Sequence, residues 1–202
     1  MNEWNVLIEL INKKSERSGF IKLDVEGIEH LKEQAARKDP DILATSVTPP
    51  DAYGEHVWYS DYALISVHHI AATEPREFIR KRLAAERYLD ALLVGLETPG
   101  TALDGYLILA FPNEPVHLNR LIAETEQDTR LVRKHVVTFK EGSWCRLERM
   151  GVLALNHSEE AEATEQPSGI DEAGLALIVE LESVAGSTLA QQHAAKWGDT
   201  SA

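Results

Sequence analysis

Residues 104–138 constrain the fold more tightly than any other part of this chain. Tyr106 to Phe111 (YLILAF) is a near-continuous apolar run, short enough to be a strand covered on both faces. Pro112 to Gln127 follows as a helix, with Leu118, Leu121 and Ile122 as its apolar positions. Leu131 to Phe139 then returns to β-type residues, so the segment predicts strand, helix and strand in succession. Around the junction of the last two lie Glu126, Asp128, Arg133 and Lys134, a dense charge cluster at a tight connection.

The flanking sequence predicts more of both element types. Trp4, Leu7, Ile8 and Ile11 share one helical stripe over residues 3–14, and Lys13-Lys14 suit a helix C-terminus. Gly19 to Leu23 is a short connection or strand. Asp24 suits an N-cap, with Leu23 and Ile28 placed as a hydrophobic staple, for a helix running to Lys38 and stopped by Asp39-Pro40. Thr48 to Gly54 reads as loop. His56 to Ile70 is rich in Val, Ile, Tyr and Trp and predicts one or two antiparallel strands joined at Ser60-Asp61. Pro75 to Leu96 is the clearest helix, opened by Pro and closed by Thr98-Pro99-Gly100, with Phe78, Ala85, Leu89, Leu92 and Leu96 buried. Trp144 to Leu155 predicts a further strand or pair of strands.

Asn156 to Gly169 has no apolar residue larger than Ala and reads as an acidic flexible linker. Beyond it, Ile170, Leu177, Leu181, Val184 and Thr188 fall on one helical face. Gly174 and Gly186 each weaken that helix by about 1 kcal/mol relative to Ala, so its stability depends on docking. The expected organisation is an α+β core over 1–155, a linker over 156–169, and a docking helix and tail over 170–202. The core's sheet is small and mixed or antiparallel, flanked by helices.

Charge follows the same division. Of the formal −13, residues 156–202 carry −8, from nine acidic side chains and one basic. Residues 1–155 carry −5, from 24 acidic and 19 basic. This is not the global basic footprint of an autonomous nucleic-acid binder. The single cysteine, Cys145, excludes an internal disulfide framework and a cysteine-based zinc site. No apolar run approaches the roughly 20 residues that span a bilayer, and the N-terminus lacks the basic and small-residue marks of a signal peptide. A cytoplasmic location is expected.

Motifs for catalysis are missing from the sequence. His68 and His69 are neighbours in an expected strand, so their side chains leave opposite faces and cannot share a metal. There is no HxH, HExxH or Cys/His cluster, no G-x-S-x-G elbow and no phosphate-binding glycine loop. Cys145 beside Trp144 reads as a small core residue. The Glu-x-Lys triplet of restriction-type nucleases does not occur. No cofactor and no metal are expected.

Two charged constellations remain. Arg76, Arg80 and Arg87 share one face of the Pro75–Leu96 helix, opposite its Phe78/Leu89/Leu96 stripe. They form either a solvated face, supported by pairs such as Glu77–Lys81, or a contact to an acidic partner surface or to nucleic-acid phosphates. The second is Glu126-x-Asp128 with Arg133-Lys134, either an internal ion-pair cluster fixing the helix–strand corner or a binding site. Arg133 and Lys134 are strand neighbours, so at most one can join the cluster, and the other faces solvent or a partner.

The segment resembles the middle-component proteins of bacterial ABC-three-component systems, the group that includes the Lamassu-type defence operons. The residues that carry this are Asp104 to Phe111, then Glu126, Asp128, Arg133, Lys134, Val136 and Val137. The family pattern is an acidic pair followed by an Arg-Lys that opens a strand, often with a Cys just before it; here Val132 stands in that place. The motif spans residues 104–138, size and element order are compatible over 1–155, and the acidic tail lies outside. The resemblance implies a non-enzymatic accessory subunit that bridges or restrains an SMC- or Rad50-like ABC ATPase and an effector, commonly a nuclease. DNA would be met only indirectly, through the ATPase. It also implies partner contacts at the Glu126/Asp128/Arg133/Lys134 corner. Arg76, Arg80 and Arg87 join as candidates from the helical-face argument, and Trp144 from residue type. Two other classes stay open: a small hydrolase or acid–base enzyme using Glu126, Asp128 and His135, or a regulatory binding protein of toxin–antitoxin type.

Overall fold

The structure is a computed structural model and describes residues 2–40, 49, 53–98 and 100–154. Helix α1 (Glu3–Arg17) starts where the Asn2 side chain accepts from the Trp4 backbone N–H at 3.2 Å. Helix α2 (Val25–Lys38) is capped by Asp24, whose carboxylate accepts from the Gly27 N–H at 2.8 Å. Leu23 packs with Ile28 in the same apolar cluster, as the staple requires. Helix α3 (Pro75–Leu96) has Pro in its first turn, where a missing N–H costs nothing. Helix α4 (Asn119–Gln127) and the single turn α5 (Gly151–Ala154) complete the helices described.

Six strands form one mixed sheet: β1 (Ile21–Lys22), β2 (His56–Tyr59), β3 (Ala63–His69), β4 (Asp104–Phe111), β5 (Arg133–Lys140) and β6 (Ser143–Cys145). Their spatial order follows the chain. β3, β4 and β5 run parallel, with Ile65 opposite Tyr106 and Tyr106 opposite Arg133. The remaining pairs are antiparallel, including the β2–β3 hairpin turned at Ser60-Asp61. The fold is therefore α+β, and the sheet is mixed.

Alternation along the strands divides the core in two. Leu64, Leu107, Leu109 and Val136 face α2, α3 and α4, joining Ile28, Phe78, Leu89 and Ile122. Ile65, Val67, Ile108 and Val137 face the other way, covered by Trp4, Leu7 and Ile11 of α1 and by Leu147, Met150 and Leu153. β4 is thus buried on both faces, which explains its unbroken apolar run. Close helix contact is set by Gly95 of α3, where a Cβ would lie 2.2 Å from the Leu31 carbonyl oxygen of α2.

Three expected elements are corrected. Residues 112–115 are not helical; a 3-10 turn at Val116–Leu118 leads into α4, because Pro112 and Pro115 deny the first turn its regular bonding. Leu131 is not in a strand: its φ of +64° breaks the extended backbone, and β5 starts two residues later. Trp144 to Leu155 supplies only the three-residue β6, after which Arg146 turns left-handed (φ +75°) and a 3-10 turn and α5 follow. The expected linker over 156–169 and docking helix over 170–202 lie outside the described residues. Among the described residues, no helix is long and apolar enough to cross a membrane.

Candidate functional site

The charge cluster after α4 resolves into two separate arrangements on opposite sides of β5. On the side covered by α2, α3 and α4, Lys134 is sealed at 1% side-chain exposure, 3.6 Å from the buried Glu86 of α3 and 3.8 Å from Asp128. Its ammonium donates to the backbone carbonyls of Asp128 (2.8 Å) and Arg130 (2.9 Å). Asp128 in turn accepts from the Arg130 backbone N–H and, in a fork at 2.9 Å, from the Arg130 guanidinium. Those bonds hold the Asp128 carboxyl well below the usual carboxylate range. Arg82 closes the network, 3.3 Å from Glu86 and 3.8 Å from Asp128.

Lys134 is therefore an internal tie between α3, β5 and the 128–132 turn, and its burial removes it from the surface candidates. Arg133 leaves the other face of β5. It is exposed, 3.5 Å from Asp104, with its guanidinium over the Tyr106 ring at 5.8 Å from the centroid. The turn between them presents Leu131 at 70% exposure in a left-handed conformation that side chains beyond glycine rarely adopt. Lys134 and Asp128 hold that turn in place from beneath.

Glu126 does something different. β5 pairs with β6 only from Thr138 onward, so among the described residues the outer edge of its first half has no strand beside it. Glu126 fills that gap: one carboxylate oxygen accepts from the Val136 backbone N–H at 3.0 Å and the other from Arg146. The left-handed backbone at Arg146 marks the point where the chain leaves β6. Glu126 thus terminates a sheet edge, which is a fold role rather than a surface contact.

The acid–base alternative meets the same geometry. His135 is half-buried, its ring stacked near-parallel to Tyr106 at 6.2 Å, and burial holds its pKa below the ordinary histidine value. Glu126 pushes that pKa back up and Arg133 lowers it further. Asp128 is engaged instead with Lys134 and Arg130.

The α3 arginines stand as the helical face predicts. Arg76, Arg80 and Arg87 are exposed, and none has an ion-pair partner among the described residues. The pairs on this helix lie off the stripe, at Glu77–Lys81 (3.2 Å) and Arg82–Glu86. Between the arginines, Ile79 and Leu83 are also exposed, at 37% and 36%. Trp144 is half-buried, packs on Phe139 and donates through its indole N–H to the Glu3 carbonyl at 2.9 Å, tying α1 to the sheet. Cys145 is a free, half-buried thiol on the short edge strand.

Sequence reasoning missed Glu86, Arg82 and Arg130, and a second buried network in which Glu55 accepts from Lys32 (2.5 Å) and the Tyr88 hydroxyl (2.6 Å). Glu86 carried one signal, an acidic side chain on the shoulder of the α3 apolar stripe. Among the described residues, no group of three or more His, Cys, Asp or Glu side chains is placed to hold a metal ion. Comparison of the chain with protein-family models, with curated proteins and with solved structures returns no match.

Proposed function

We propose that this chain is a non-enzymatic accessory subunit that bridges an SMC- or Rad50-like ABC ATPase and an effector, commonly a nuclease, in a cytoplasmic bacterial complex acting against phages or plasmids. One observation carries the binding role: the α3 face on which Arg76, Arg80 and Arg87 are exposed and form no ion pair among the described residues, while Ile79 and Leu83 stay exposed between them. Exposed arginines set among apolar side chains match the composition of protein interfaces, in which Arg is enriched. α3 is rigidly seated on the sheet through Phe78, Leu89 and Leu92, so the face is preorganised. The identity of the partners rests on the resemblance of residues 104–138 to the middle components.

The test is co-expression of the full chain with an SMC-like ATPase and an effector encoded beside it, followed by capture through a tag on this chain. The wild type retains both partners. Arg76→Glu/Arg80→Glu loses at least one of them while its thermal midpoint stays unchanged. Undiminished capture by that folded variant would refute the assignment of the α3 face.

A further inference from the structure

We infer that the cleft beside the Leu131 turn binds an extended peptide segment of a protein partner, with Leu131 as the apolar anchor and the Asp104–Arg133 pair as the polar one. This site is additional to the α3 face proposed above and stands or falls independently of it.

The turn is costly to maintain. The Val132 N–H donates to the Arg130 carbonyl at 2.8 Å, around Leu131 at φ +64°. That is a γ-turn of the rare, strained hand. It also leaves Leu131 70% exposed, so strain and exposed apolar surface fall on one residue. The surroundings hold it nonetheless. Lys134 donates to the Asp128 and Arg130 carbonyls from below, and Asp128 grips Arg130 through both backbone and side chain. Val132 is buried against Gly105, where a Cβ would lie 2.6 Å from its side chain. Backbone strain that persists under this much support collects at binding and switch sites.

The same turn cuts the β4–β5 ladder short. Pairing begins at Tyr106 opposite Arg133, although β4 itself starts at Asp104. Carried back two residues, this register would set Leu131 opposite Asp104, but the γ-turn takes it out of line. Asp104 donates its N–H to the Tyr62 carbonyl on the β3 side. By alternation the Gly105 N–H faces β5, where among the described residues no strand residue stands opposite it. A cleft of about 290 Å³ lies at this gap, lined by Asp104, Gly105, Thr129, Leu131, Val132 and Arg133.

The lining selects the ligand. A backbone carbonyl laid along β4 would accept from the Gly105 N–H in the place that Leu131 has left. Asp104 and Arg133 sit side by side, half-exposed and 3.5 Å apart. They offer an acceptor next to a donor, the complement of an amide edge. A free carboxylate or phosphate would meet the Asp104 charge as well as Arg133, which disfavours a simple anion. The volume stands near the roughly 300 Å³ floor of ligand sites, room for a narrow extended chain but not for a helix about 10 Å across. Segments bound in this way take affinity from main-chain bonds and specificity from side-chain contacts, here the contact with Leu131.

The probe is a phage-displayed library of random heptapeptides, panned on the immobilised full chain, with the Leu131→Asp/Arg133→Ala chain as counter-target. Enriched peptides are synthesised and titrated against single variants. Leu131→Asp and Arg133→Ala should each weaken binding severalfold with the fold intact, and bound peptide should slow hydrogen exchange at the Gly105 amide. Leu131→Gly removes the strain and the anchor together, so its thermal midpoint should hold or rise while its affinity falls. No enrichment over the counter-target, affinity indifferent to Leu131 and Arg133, or unaltered Gly105 exchange would each overturn the inference. A lowered midpoint with unchanged affinity in Leu131→Gly would assign the turn to folding alone. Displacement of the peptide by millimolar acetate or phosphate would show a simple anion site and overturn it as well.

Discussion

The Lys134 ammonium lies 3.6 Å from the Glu86 carboxylate, both almost wholly sealed from solvent, joining β5 to the middle of α3. The same ammonium satisfies two carbonyls of the preceding turn. Removing it leaves the buried Glu86 carboxylate with Arg82 alone and strands two acceptors at once. Lys134→Ala should therefore destabilise the fold by about 3–5 kcal/mol. Arg133→Ala, one residue away on an exposed face, should cost at most about 1 kcal/mol. Urea denaturation of the two variants checks the contrast; equal losses would contradict the opposite-face geometry.

Gly95 marks the crossing of α2 and α3. A methyl group there would meet the Leu31 carbonyl oxygen at 2.2 Å and the helices would have to separate. Gly95→Ala improves helix propensity by about 1 kcal/mol, but overpacking of this kind costs about 1–3 kcal/mol or more. A lowered thermal midpoint is expected. A raised midpoint would mean that the helices do not approach so closely.

Burial holds the His135 pKa below its unfolded value, so the unfolded chain binds a proton first as pH falls. Stability from this group is therefore complete above about pH 6.5 and declines as pH falls from there toward the folded pKa. His135→Gln should flatten the stability profile in that window and leave the region above it unchanged. Asp128 acts lower: its depressed carboxyl contributes stability above the ordinary carboxylate range and loses it on further acidification. Asp128→Asn should flatten only this more acidic part of the curve. Stability profiles from urea titrations at successive pH values separate the two.

Trp144 joins β6 to the first turn of α1 through one indole hydrogen bond and its packing on Phe139. Trp144→Phe keeps much of the packing and loses the bond, with an expected cost of about 1 kcal/mol. Partner capture should not change. Reduced capture by a fully folded Trp144→Phe protein would return this residue to the interface.

Legibility in the sequence followed the range of the interactions. α1, α2 and α3 were readable because their stripes, caps and stops are local, as with Asp24 before α2 and Pro75 at the head of α3. The strand character of β4 showed in its apolar run, but its parallel pairing with β3 and β5 did not, since register is set across the sheet. Residues 112–115 misled because Leu118, Leu121 and Ile122 give a helical period that continues only from Asn119 onward. The opposite directions of Arg133 and Lys134 followed from strand alternation, whereas which of them turned inward depended on Glu86, far away in the chain. Glu126 was seen as a charge near Asp128; its task at the open edge of β5 emerges only once β6 is placed. The α3 arginines were the most legible candidates, because helix geometry alone assigns their face.

The most direct test of the account is the composition and mass of the complex formed when the full chain is co-expressed with the products of its two neighbouring genes. A stable assembly containing this chain, a coiled-coil ABC ATPase and an effector, weakened by Arg76→Glu/Arg80→Glu, is the predicted result. Recovery of this chain alone, as a monomer or homodimer, would contradict the subunit reading and direct attention to His135 and Glu126 as acid–base groups.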